Sequence, residues 1–107
     1  MLNNLDELYS ELTGISRDLP VAYDHFEKPQ ELPYIVYLVT DSNSFAADNH
    51  AYYATNNVQI ELYSESKNMS LEESVEDVLN DCDVFFSKSE GYLADEQMYM
   101  VTYRVSI

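Results

Sequence analysis

The sequence predicts one α+β domain, a mostly antiparallel sheet of four to five strands with two helices packed on one face. Three observations carry this. The stretch Asn57–Ser64, NVQIELYS, alternates Val58, Ile60 and Leu62 with Gln59, Glu61 and Tyr63, the two-residue period of a half-buried strand. Two other stretches carry apolar residues at helical spacing behind capping residues. The element order reads α-β-β-β-α-β-β, and strands that follow one another without helices favour antiparallel pairing.

Asn4 and Glu7 form a capping-box pair ahead of Leu5, Leu8, Tyr9 and Leu12, with Gly14 as a stop, so a first helix is expected over Leu5–Thr13. Leu19-Pro20 closes it, since a residue before proline avoids the α region. Val21–Phe26 reads as a short strand and 27–32 as a loop. Pro33 opens the strong strand PYIVYLVT, at a position where proline is tolerated.

Asp41–Thr55, rich in Asn, Asp, Ser and Ala, is expected to be a long, mobile β-hairpin loop between two strands; long loops in compact domains are usually functional or disordered. Ser70 and Glu73 suggest a second capping box. Leu71, Val75, Val78, Leu79 and Cys82 then form one apolar stripe, predicting a helix over Leu71–Asp81 with Glu72, Glu73, Glu76, Asp77 and Asp81 on its solvated surface. Val84–Phe86 reads as a short strand, Glu90-Gly91 as a turn, and MYMVTYRVSI as a closing strand with Asp95-Glu96 at a bend before it. With helices over one face, the second face is expected to be rich in tyrosine.

The 107 residues make one domain, 1–107, able to bury a core without metals or disulfides. The single cysteine excludes an internal disulfide and suits a reducing compartment. No signal peptide or membrane-spanning run is visible. Twenty acids against five bases give a net charge of −15, which argues against binding nucleic acid or anionic membrane. An acidic wall that repels DNA, an acidic surface that mimics DNA and simple solubility all remain open.

No catalytic motif is present. His50 with Asp48 and Asp41 lacks further ligands at a recognised spacing, His25 stands alone, and Cys82 sits on an apolar stripe among acids that disfavour a thiolate. With only Gly14 and Gly91, no phosphate-cradling loop exists. No enzyme activity, metal or cofactor is expected.

The stretches PYIVYLVTDSNSFAADNHAYY, NVQIELYSESKN, SLEESVEDVL and MYMVTYRVSI together resemble the tail-completion proteins (tail terminators, head–tail joining proteins) of long-tailed phages and prophages of Gram-positive bacteria. The resemblance covers Pro33–Ile107 and rests on strand, loop and helix signatures without an invariant chemical motif. It implies a virion protein of the tail–neck, assembled in the host cytoplasm. It implies a homo-oligomer, hexameric when assembled, that caps the head-proximal end of the tail tube. Its expected partners are the tail-tube protein and a head–neck connector; DNA passes through without specific binding, and no membrane is involved. Other neck or head-completion proteins share this setting.

A DNA mimic that inhibits a host enzyme is the rival class. The acids concentrate in 1–32 and 70–91, seven in each, a grouping closer to solvated helices than to a duplex track. Candidate contact residues are Phe45, Asp48, Tyr52 and Tyr53 in the 41–55 segment, and Gln59, Glu61 and Tyr63 on the strand face away from the helices.

Overall fold

A computed structural model of the chain describes residue 2, residues 4–47 and residues 51–107, with side chains described outside 43–54. The elements are α1 (Leu5–Thr13), β1 (Val21–Tyr23), β2 (Tyr34–Ala47), β3 (Ala51–Ser64), α2 (Met69–Asp81), β4 (Phe86–Leu93) and β5 (Met98–Ser106). They form one five-stranded sheet in the order β1-β2-β3-β5-β4. β1 runs parallel to β2, and the other neighbours are antiparallel. The α+β class and the order α-β-β-β-α-β-β stand as expected, with β3 at the centre.

Each helix has a local cause. Asn4 caps α1, its side chain accepting from the Glu7 amide at 2.9 Å. Gly14 ends that helix in an ordinary right-handed conformation, so its conformational freedom is not used there. α2 begins two residues earlier than the capping-box reading placed it. Asn68, not Ser70, is the cap, accepting from the Leu71 amide at 3.1 Å. At the other end Val84 N–H donates to Leu79 O and Asp83 N–H to Asn80 O. With Asp83 at φ 57°, this is a Schellman closure. It turns the chain so that Val84 enters the core and Phe85 is left outside.

Register fixes the two sheet faces. Val58, Ile60 and Leu62 lie opposite Val39, Tyr37 and Ile35 of β2, and opposite Val105, Tyr103 and Val101 of β5. All belong to or pack on one core with Leu8 and Leu12 of α1 and Val75 and Leu79 of α2. Burying such a side chain contributes about 1.5–3 kcal/mol, so this helix-covered face holds the fold. Tyr37, Tyr99 and Tyr103 also belong to it or pack against it. The tyrosine-rich second face is therefore corrected: among the described residues only Tyr34 and Tyr63 line it, because the β5 tyrosines share a face with Val101 and Val105.

Two further expectations change. The 41–55 segment is not an irregular loop: both strands continue through it, pairing from Asp41↔Asn57 to Ala47↔Ala51 after a register shift between Val39 and Asp41. Thr40, Asp41 and Ser42 are exposed and Thr55, Asn56 and Asn57 half-buried, so the loss of apolar alternation there marks the end of the core, not of the strands. Glu90-Gly91 is no turn either. β4 runs through it, with Gly91 opposite Met100, and the chain reverses at Ala94–Gln97 instead, where Gln97 takes φ 53°. The bend expected at Asp95-Glu96 is that reversal. β1 is shorter than expected, and β4 starts at Phe86, leaving Val84 and Phe85 outside it.

Candidate interaction surface

β2 and β3 are 14 residues each, about 46 Å of extended chain, nearly the molecule's longest dimension of 50 Å. β1 covers β2 only at Ile35–Tyr37, and β5 covers β3 only from Asn57 onward. The far half of the hairpin therefore leaves the five-stranded sheet as a two-stranded arm. The Cα radius of gyration, 14.9 Å, exceeds the roughly 13 Å of a compact chain of this length.

The arm's base is held by a polar clamp that the sequence reading missed. Asn57 Nδ2 donates to Asp41 Oδ1 at 2.9 Å, and Asn57 Oδ1 accepts from Ser106 Oγ at 2.6 Å. Thr40 Oγ1 donates to Asn57 O, and Ser42 Oγ to Asn56 Oδ1. Asn56 and Ile107 exchange backbone hydrogen bonds at 2.8 and 2.9 Å. The end of β5 thus ties down both strands where they depart. Phe85, 96% exposed, lines a groove of about 920 Å³ beside this base, with Val84, Phe86, Val105 and Ile107 among its walls.

On the open face, Gln59 and Tyr63 both donate to Glu61. Gln59 Nε2 lies 2.6 Å from Oε2, and the Tyr63 hydroxyl 2.9 Å from Oε1. Burial, then the bond to Glu61, pushes the Tyr63 hydroxyl well above its ordinary pKa. Tyr63 packs against Tyr34 at 5.1 Å between ring centroids, and Phe26 meets Tyr34 edge-on at 5.3 Å. The segment after β1 thereby leans over this face and makes a second groove of about 520 Å³.

A third feature corrects the reading of α2. Glu72 is not on a solvated surface; it is 3% exposed. Its Oε1 pairs with Lys67 at 2.8 Å and Lys88 at 2.9 Å. Lys88 also pairs with Glu76 at 2.8 Å, and Lys67 with Glu90. The Tyr103 hydroxyl donates to Glu76 at 2.9 Å. Hydrogen bonds to Glu72 and Glu90 raise the Lys67 ammonium, and those to Glu72 and Glu76 raise that of Lys88. The network joins α2 to β4 and β5. One signal for it was available: two of only five bases flank the acidic helix in sequence.

The structure brings Gln59, Glu61 and Tyr63 together. Phe45 and Tyr53 occupy opposite register positions on the arm, and Tyr52 lies opposite Ala46; their side chains, and Asp48 and His50 entirely, lie outside the described residues. Cys82 is a buried free thiol, raised by burial and by nearby Glu11. Among the described residues no group of three or more His, Cys, Asp and Glu side chains is placed to hold a metal, and no helix is long and apolar enough to cross a membrane.

No family model matches the chain, and no curated protein does. Among solved structures, the chain is similar to one from the virion of a native gene transfer agent particle. The TM-score is 0.60 at 11% identity, covering 92% of this chain and 90% of that one. At this identity the likeness is one of fold, and it extends over most of the domain.

Proposed function

We propose that this chain is a structural protein of a phage or phage-like virion, and more narrowly a tail-completion protein. In this reading it forms a ring, hexameric when assembled, that caps the head-proximal end of the tail tube and meets the neck connector. The observation that carries it is a small α+β domain with a clamped two-stranded arm, in a fold shared over most of its length with a chain of a virion particle. A ribbon that leaves its own sheet is marginal in water alone, so a neighbour is its natural environment. The arm suits a ring or tube contact, with Phe45 and Tyr53 as leading anchors and Asp48 and Tyr52 beside them. The strong negative charge suits the wall of a conduit through which DNA slides without binding.

Mixing the protein with purified tail-tube protein tests the reading. Tubes should stop growing at a defined length and carry a ring at one end. Unchanged tube length and bare ends would remove the tail-completion role. Phe45→Ala should abolish capping while leaving the fold intact, whereas the core control Ile60→Ala should unfold the protein. A DNA mimic fits less well, since Glu72, Glu76 and Glu90 are paired with lysines rather than displayed.

A further inference from the structure

We infer that the groove on the open sheet face is a docking site for a cationic side chain, arginine above all, presented by an apolar segment of a partner protein. Three observations converge on Glu61. First, its carboxylate is half-buried and oriented by neutral donors only, Gln59 on one oxygen and Tyr63 on the other. Among the described residues it makes no ion pair, unlike Asp24, Glu27, Glu72, Glu76 and Glu90. A carboxylate withdrawn from water without a counter-charge is costly, and a bound cation relieves that cost.

Second, the nearest candidate within the sheet is turned elsewhere. Arg104 lies opposite Gln59 on β5, but its Nη1 donates to Ser89 Oγ at 3.0 Å, towards the β4 edge. Third, the groove has the walls such a ligand needs. Phe26, Tyr34, Val36, Tyr63, Leu93 and Met98 supply apolar and aromatic surface around Glu61, and Asp24, Glu27 and Glu96 place further carboxylates on its lining against Lys28 and His25, the imidazole lying beside Asp24 and Glu27. An aliphatic stem along that surface and a charged head on a fixed carboxylate is how arginine is recognised at interfaces. Charge complementarity thus selects a basic partner segment over a second copy of this chain, which carries −15. The inference does not depend on the tail-completion reading.

The test is an NMR titration of the labelled protein with two tripeptides, acetyl-Phe-Arg-Phe-amide and acetyl-Phe-Gln-Phe-amide. The arginine peptide should give saturable shifts at Tyr34, Glu61, Tyr63 and Met98, and should bind about tenfold more tightly than the glutamine peptide, the range of one charge-assisted hydrogen bond. Glu61→Gln, nearly isosteric, should erase that preference, while the exposed helix variant Asp77→Asn should keep it. Equal binding of the two peptides to the wild-type protein overturns the inference. So do shifts that map to the helices, or an equal loss in Asp77→Asn.

Discussion

Asn57 bridges Asp41 and Ser106, donating to the first at 2.9 Å and accepting from the second at 2.6 Å. One side chain on β3 thereby ties β2 to the end of β5, at the point where the hairpin leaves the sheet. Asn57→Ala removes both bonds at an exposed site, so the expected stability loss is about 1 kcal/mol. The larger effect should be local. Backbone amides of 43–47 and 51–55 should exchange with solvent faster, while those of Leu62 and Val101 stay as protected as before. Hydrogen-exchange mass spectrometry of the two proteins checks this, and equal exchange in the arm would mean the clamp does not hold it.

Glu72 gives a stability prediction of a different kind. Its buried oxygen Oε1 faces two ammonium groups, while Oε2 is buried without a hydrogen-bond partner. Replacing it with alanine strands Lys67 and Lys88. Breaking a buried pair costs 3–5 kcal/mol when the surviving charge is trapped, but both lysines are about a third exposed and can rehydrate. The expected loss for Glu72→Ala is therefore nearer 2 kcal/mol, against within about 0.5 for the exposed Asp77→Ala. Urea unfolding separates the two. A Glu72→Ala protein as stable as Asp77→Ala would assign the network to the surface.

These two sites also show where sequence reading stops. The core face was legible because Val58, Ile60 and Leu62 alternate without exception, and α1 because Asn4 and Glu7 mark its start. The arm was not: residues 40–44 and 54–57 are small or polar, and apolar alternation reports burial rather than strand conformation. Gly91 misled because it lies within a paired strand, while the actual reversal uses Gln97 at positive φ, a residue that carries no turn signal. Glu72 looked like any acid of an amphipathic helix. Only the fold brings Lys67 and Lys88 to it from either side. Of the contact candidates, Gln59, Glu61 and Tyr63 were legible as a face, but their joining into one hydrogen-bonded unit was not.

Cys82 follows from the same geometry. Burial raises the thiol, and Glu11, Asp81 and Asp83 add to it. Both the thiolate fraction and access are therefore low. Reaction with a disulfide reagent at pH 8 should be on the order of a hundredfold slower than that of free cysteine, and should accelerate along the urea unfolding curve. Fast labelling of the folded protein would show that the α1–α2 contact opens readily.

The pH dependence of stability should carry the signature of Glu76. Burial works to raise its carboxyl, but hydrogen bonds from Lys88 and Tyr103 outweigh that and hold it below its ordinary value of 4.5. A folded-state pKa below the unfolded one means the stabilisation is fully present above about pH 4.5 and is lost as pH falls through the lower folded value. Lys88, raised above 10.5, acts in the opposite direction: its contribution is present below that pH and is lost only in strongly alkaline solution. Relief of repulsion in so acidic a chain also changes stability on acidification, so the comparison must be a difference. The gap in urea midpoint between wild type and Glu76→Gln should be constant from pH 8 to 5.5 and narrow below 4.5. A gap that stays constant down to pH 3 would mean that Glu76 is not preferentially ionised in the folded state, and that the Lys88 and Tyr103 contacts contribute packing alone.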